Sequence, residues 1–229
     1  ERLPETPSIT DWLGVVLKKN ESVGIDPTVN SHDQAEAWAN ELMEKFCINL
    51  THIPTSWWDE LWPSRPQLPL EEVEMQPLAL AGESCTDKLA RIRKEIGKKT
   101  LVVSALDDIA WTLNLRGSDV HCNPVVVSYL VITPDEAHFF ALPEKFFSPV
   151  GENLRSHGVI FHPYPEFYNE VAKFDTYPLL LPPNSNCEIS TRCQRLIAEG
   201  RCSFAPSPIP AMKAVKNEAE INGFRQAMV

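Results

Sequence analysis

Hydrophobic positions along the chain switch between two spacings, and the switches mark where elements begin and end. Ser8 or Thr10 can cap a short helix running to Leu17, and Val23 to Asp26 then reads as a buried strand ended by Pro27. Ser31 with Gln34 forms a capping-box pattern, and Ala35, Trp38, Ala39, Leu42, Met43 and Phe46 recur at helical spacing on one side. Ile48 to Ile53 predicts a second strand, so residues 23 to 53 read as a strand-helix-strand unit of parallel-sheet type.

Periodicity then stops. The stretch from Pro54 through Pro77 holds five prolines and three tryptophans, Trp57, Trp58 and Trp62, a mixture that no regular element tolerates in full. This stretch reads as a domain boundary whose tryptophans anchor it to its neighbours rather than stack on a ligand. Beyond it, Ser84 opens a helix with the seam Cys85, Leu89, Ile92 and Ile96, stopped by Gly97. Strands are expected at Thr100 to Ser104, Val125 to Ile132, Ala137 to Leu142, Val159 to His162 and Leu179 to Leu181. Between and after them the pattern predicts helices at Leu106 to Trp111 with an Asp cap, Gly151 to Ser156, Pro165 to Lys173 and Ile189 to Ala198. Such alternation implies an α/β fold with helices layered on a sheet. Asn217 and Glu220 start a final helix whose stripe, Ile221, Phe224 and Met228, is expected to need further chain to cover it.

Composition removes several function classes. With 229 residues, 43% of them hydrophobic, the chain can build a core, and disorder is excluded. Its 20 prolines and 9 glycines reverse the usual order. No two glycines lie closer than Gly151 and Gly158, so a dinucleotide fingerprint, a P-loop and a Gly-x-Ser-x-Gly elbow cannot be written. The net charge of −10 repels a phosphate backbone. The basic run from Lys88 to Lys99 is interrupted by Glu95 and reads as the wet side of a helix, so no nucleic-acid surface is expected. The longest apolar run, Val125 to Ile132, is far short of the roughly 20 residues of a membrane helix.

Six cysteines contain no C-x-x-C pair, and the histidines at 32, 52, 121, 138, 157 and 162 form no H-x-x-x-H helix, so zinc is not expected. Reduced thiols and a cytoplasmic compartment fit this usage, and the sequons at Asn20 and Asn49 have no visible secretory signal to give them meaning. The densest polar segment runs from Leu113 to Pro124. Its simpler reading is a hydrogen-bonded turn with Arg116 paired to Asp119 and Asn123 restricting entry to the next strand. The functional alternative is a loop at a strand edge facing a cleft, with Arg116, Asp119, His121 and Asn123 as cleft-facing or interdomain candidates.

Four collinear segments carry a resemblance. Asp107-Asp108-Ile109-Ala110-Trp111-Thr112-Leu113-Asn114-Leu115-Arg116-Gly117-Ser118-Asp119-Val120, followed by Asn123-Pro124-Val125 and Ser128-Tyr129, resembles the second-domain signature of the eukaryotic-type Xaa-Pro aminopeptidases (aminopeptidase P). These are creatinase-like, pita-bread metallopeptidases. Val23 to Pro27 is similar to a strand late in their first domain, and Ala81 to Ser84 with Lys88, Leu89 and Arg91 to their linking helix. Lys213 to Ile221 is similar to the entry of their catalytic domain.

The resemblance implies two creatinase-N-terminal-like three-layer mixed-sheet domains, the first incomplete. Residues 1–60 would be the C-terminal part of the first domain, 61–83 a Pro/Trp-rich linker, 84–216 the second domain and 217–229 the start of a catalytic domain. It implies a two-metal site, usually manganese, in that catalytic domain, and no catalytic or metal residue of the family maps onto this chain. The parent would release the N-terminal residue from peptides with proline second, as a cytoplasmic homodimer without nucleic-acid or membrane partners. The chain alone would be inactive and would wall the cleft. A catalytically dead relative acting as a binding module, like the histone-chaperone subunit of this architecture, is the alternative.

Overall fold

A computed structural model describes residues 6–54, 56–146 and 149–228. They fall into two compact units, one of residues up to Pro66 with Pro183–Thr191, the other of Gln67–Pro182 with Arg192 onward.

In the first unit, α1 (Ile9–Val16) is capped by Ser8, whose hydroxyl accepts from the Asp11 backbone N–H at 3.0 Å. β1 (Ser22–Ile25) and β2 (Asn49–His52) pair in parallel across α2 (His32–Phe46), the unit that the sequence pattern predicts. Ser31 caps α2, and Cys47 ends it in the left-handed region at φ 57°. Gly14 lets α1 approach α2, since a Cβ there would lie 2.4 Å from the Phe46 ring. A short helix, α3 (Ser56–Leu61), forms within the stretch that reads as irregular, because Pro54 and Pro63 flank it and none lies inside it. Within it, the Trp58 indole donates to Asp26 at 2.5 Å, although Trp58, Trp57 and the following Trp62 are all exposed. Residues 183–191 return to this unit, where the Cys187 and Glu188 N–H groups donate to the carbonyls of Asn30 and Pro27, each at 2.9 Å.

The second unit is built on a mixed six-stranded sheet. Its elements in chain order are β3 (Val73–Met75), α4 (Leu78–Ala81), α5 (Cys85–Ile96), β4 (Thr100–Val103), α6 (Leu106–Leu113) and β5 (Leu115–Gly117). There follow β6 (Tyr129–Ile132), β7 (Ala137–Ala141), α7 (Pro149–Ser156), β8 (Val159–Pro163), α8 (Phe167–Glu170) and β9 (Leu179–Leu181). After α9 (Cys187–Arg192), most of which belongs to the first unit, come α10 (Gln194–Ala198), β10 (Cys202–Phe204), α11 (Ile209–Ala214) and α12 (Glu218–Ala227). The strand order is β10-β9-β4-β6-β7-β8, with β6 antiparallel to both neighbours and the other pairs parallel. β3 and β5 form a separate antiparallel ribbon.

Strand alternation sorts side chains into two cores. Leu101, Val103, Leu130, Ile132, Phe139 and Ala141 join Cys85, Leu89, Ile92 and Ile96 of α5 in one cluster, confirming the helical seam. On the opposite face, Tyr129 stacks on Phe167 at 3.7 Å and Phe140 meets Phe167 edge-on at 5.3 Å. The second unit is thus three layers.

The structure corrects four local expectations. The expected strand at 125–132 begins only at Tyr129: Pro124 lacks an N–H, Val127 N–H goes to the Asp119 carboxylate, and the Ser128 hydroxyl takes the Val126 carbonyl. Residues 164–173 are not one helix but a 3₁₀ turn, α8 and a second 3₁₀ turn. The helix expected at 189–198 breaks at Cys193 into α9 and α10. The cap of α6 is Ala105, with no side-chain bond, because Asp107 and Asp108 both turn to Lys213.

Candidate functional site

A cavity of about 520 Å3 opens in the second unit beside the β3–β5 ribbon. Its walls come from α6 (Ala110, Trp111), the loop Asn123–Val125 and α12 (Glu220, Phe224), with Arg116 of β5 reaching in. Most of the lining is apolar, so its few charged groups decide what it can recognise.

Arg116 is fixed from behind. Its Nη1 donates to the carbonyls of Ala110 at 3.3 Å and Leu115 at 2.6 Å. Burial lowers its pKa and Glu220 opposes this, but a guanidinium stays charged at any working pH. Glu220 has both oxygens engaged: the Trp111 indole donates to one at 3.2 Å, and the Asn217 backbone N–H to the other at 2.9 Å. That second bond completes a capping box at the start of α12.

Beneath Trp111 lies Lys88, 1% exposed. It donates to the Trp111 carbonyl at 2.9 Å and the Asn114 amide oxygen at 2.7 Å, its nitrogen 4.3 Å from the Trp111 ring centre. Burial with no carboxylate bonded to it brings its pKa down to about 8. Asn114 holds a left-handed conformation at φ 54° between α6 and β5, so Lys88 braces the turn that delivers Arg116. At the mouth, Lys213 bonds Asp107 and, at 2.7 Å, Asp108. The bond to Lys213 lowers the pKa of exposed Asp107, whereas burial raises that of Asp108 despite the same cation. Burial works against the charge of Lys213, and its two carboxylate partners more than compensate, raising its pKa.

Of the four sequence candidates, the cavity brings together Arg116 and Asn123. The expected Arg116–Asp119 pair does not form. The Asp119 side chain is fully buried, bonded to Lys145 and accepting from Val127 N–H at 2.7 Å, because Lys145 supplies a cation at closer reach while Arg116 is taken by carbonyls. His121 lines a separate hollow of about 360 Å3 with Cys122 and Asn123. Trp111, Lys213, Glu220 and Phe224 were passed over by sequence reasoning. Each sits in a segment that the sequence singles out as a helix or a resemblance, and no spacing rule links them.

Among the described residues, no group of three or more His, Cys, Asp and Glu side chains is placed to hold a metal ion. The donor set here does not fit a two-metal centre, so none of its chemistry is assigned to these residues. No helix among them is long and apolar enough to cross a membrane.

Comparison with known proteins gives this geometry a family. The profile of the Creatinase/Prolidase N-terminal domain matches residues 64–220, more than half of the chain. The chain belongs to the creatinase/prolidase N-terminal domain family. It is 32% identical over 237 residues to a probable Xaa-Pro aminopeptidase P of Leptosphaeria maculans, an alignment covering 98% of this chain and 38% of that protein. Aminopeptidase P1 of Lotus japonicus is 27% identical, with 100% of this chain and 41% of the relative covered. The X-prolyl aminopeptidase of Caenorhabditis elegans, described as a cytosolic enzyme with a di-nuclear active site, superposes over 99% of this chain and 38% of its own, with a TM-score of 0.87 at 28% identity. This creatinase/prolidase N-terminal chain therefore spans about two fifths of the length of the relatives it matches.

Proposed function

We propose that the chain is the non-catalytic N-terminal portion of an Xaa-Pro aminopeptidase, walling the cleft in which a longer polypeptide releases the N-terminal residue from peptides with proline second. The observation that carries this reading is the end-to-end likeness to the nematode X-prolyl aminopeptidase, over 99% of the chain. In this reading, residues 1–60 close the first domain, 61–83 link it to a second domain at 84–216, and 217–229 enter the catalytic domain. The metal pair, manganese by resemblance, would belong to that catalytic domain and would supply Lewis-acid chemistry there, and no residue of this chain is assigned to hold it. The chain by itself is inactive, and the complete enzyme is a cytoplasmic homodimer.

The 520 Å3 cavity is the part of the wall suited to a peptide. An X-Pro bond is a tertiary amide without an N–H, so its recognition rests on ring shape and on the carbonyls around it. Trp111, Pro124 and Phe224 offer flat apolar surface for such a ring. Arg116, pinned through Nη1, keeps its other N–H groups for a peptide carbonyl or carboxylate. Its place is positioning, with Asn123 at the same rim. Asp119 acts from behind by holding the loop, and His121 stands outside this cavity. The named relatives give the binding-module alternative no support.

The test is Arg116→Met in the complete enzyme. Losing a charge-assisted contact to the substrate should raise KM about tenfold with little change in kcat. A variant with both constants unaltered removes Arg116 from the cleft.

A further inference from the structure

Away from the cavity, the sheet face opposite α5 carries two adjoining imidazoles. His138 of β7, 7% exposed, places Nδ1 3.0 Å from Nε2 of His162 on β8 and Nε2 3.1 Å from the Glu136 carboxylate. Phe140 stacks on His162 with ring centres 4.6 Å apart, and Phe174 lies 4.6 Å from His138. Together with Phe167 these rings seat residues 164–174, a strap of two 3₁₀ turns and α8, over the sheet.

Hydrogen-bond chemistry limits how many protons this pair can hold. In the neutral pair His138 donates through Nε2 to Glu136 and accepts at Nδ1 from His162. One added proton is accommodated: His138 then donates on both sides, and His162 accepts through its lone pair. A second proton sets N–H against N–H at 3.0 Å, so the bond between the β7 and β8 imidazoles is lost and the His138 ring, on which the strap's Phe174 packs, is pushed from its place.

The charged groups nearby are engaged elsewhere. On the β6–β7 turn, Asp135 accepts from the Tyr177 hydroxyl at 2.8 Å. Lys173, on the strap, bonds Glu170 at 2.6 Å. From α5, Arg93 donates to the Thr133 carbonyl at 3.0 Å. In register with His138 stand Val131 of β6 and Ile160 of β8, both apolar. Glu136 is thus the carboxylate bonded to the pair. Burial first, then the neighbouring charge of His162, holds the His138 pKa below the ordinary imidazole value against the pull of Glu136. A cavity of about 330 Å3, lined by Glu136, His138, Phe174 and Thr100, gives solvent protons a route. The Thr100 hydroxyl, buried there, has no hydrogen-bond partner among the described residues, which marks the cavity as a place water can serve.

We propose that the His138–His162 pair is a two-step proton latch: its first proton leaves the aromatic strap 164–174 closed on the sheet, and its second releases it. This holds whatever reaction the complete protein performs.

The test is imidazole NMR titration of this chain from about pH 8 to about pH 4, with hydrogen exchange followed in the strap. The two rings should titrate in separate steps whose proton affinities differ at least about tenfold. Strap exchange should rise at least about tenfold across the second step, while that of β4 does not. In His162→Gln, which keeps an acceptor and cannot ionise, one step should remain and the acid-induced exchange should vanish. If that variant does not fold, Glu136→Gln serves: both steps should move to lower pH, with strap release moving alongside the second. Two independent titrations at ordinary affinity, or a strap equally protected at both ends of the range, would overturn the latch.

Discussion

Lys145 and Lys88 each bury an ammonium in the second unit, the first against a carboxylate and the second against neutral oxygens. Lys145 meets Asp119 where both side chains are almost fully covered, and the same carboxylate takes the Val127 N–H that the strand leaves free. Lys88 has the Trp111 carbonyl, the Asn114 amide oxygen and the face of the Trp111 ring, which compensate part of its lost hydration. The difference separates two ways of bracing one cavity. The ion pair ties down the loop carrying Asn123, and the solitary cation ties down the turn carrying Arg116. Burial brings the second, Lys88, down to a pKa of about 8, so its charge is lost as pH rises through that value.

Breaking the ion pair has the largest expected effect. Asp119→Ala leaves a buried ammonium and a backbone N–H without an acceptor, and should cost about 3 to 5 kcal/mol in chemical denaturation at neutral pH. A loss below about 1 kcal/mol would mean that water reaches Lys145 and that the pair does not hold the loop.

The solitary cation sharpens the contrast through pH. Its folded pKa of about 8 lies below the ordinary lysine value of 10.5, so the folded state holds fewer protons between these values. Stability must therefore rise with pH across that window, because the cost of burying the charge is fully present below pH 8 and is relieved above it. Relative to Lys88→Met, the unaltered chain should gain about 2 kcal/mol between about pH 7.5 and pH 10. Parallel stability curves for the two proteins would show that Lys88 titrates normally.

Smaller effects are expected at the cavity mouth. Lys213→Met strips the buried Asp108 of its cation and should cost about 1 to 2 kcal/mol, less than Asp119→Ala because Lys213 is partly open to water. Asp107→Asn, at a carboxylate 62% exposed, should cost under about 1 kcal/mol. Equal losses for these two would contradict the burial difference that sets their pKa values in opposite directions.

What the sequence disclosed and what it hid divide along the range of the interactions. Helices whose ends are written locally were legible: Ser31 and Ser84 cap α2 and α5, and Gly97 and Asn217 mark a stop and a start as read. The parallel pairing of β1 with β2 followed from the helix between them. The short strands β3, β5 and β10 were missed because, unlike the equally short but wholly apolar Leu179–Leu181, they carry a polar or charged residue among three and only pairing defines them. Asp107 and Asp108 looked like a cap because their partner lies more than 100 residues away, on α11. Likewise Asp119 and Arg116, three positions apart, invited pairing, whereas folding brought Lys145 to one and backbone carbonyls to the other. The resemblance located the polar loop, but only the packing of α12 against it showed a cavity whose wall includes Trp111 and Glu220.

The central claim is that these residues shape a reaction space whose chemistry lies in other polypeptide. It is tested most directly by incubating the purified 229-residue chain with an Arg-Pro-Pro peptide, with and without manganese, and measuring release of free arginine. No release above the peptide-only control is predicted in either case, whereas manganese-dependent release by this chain would contradict the account.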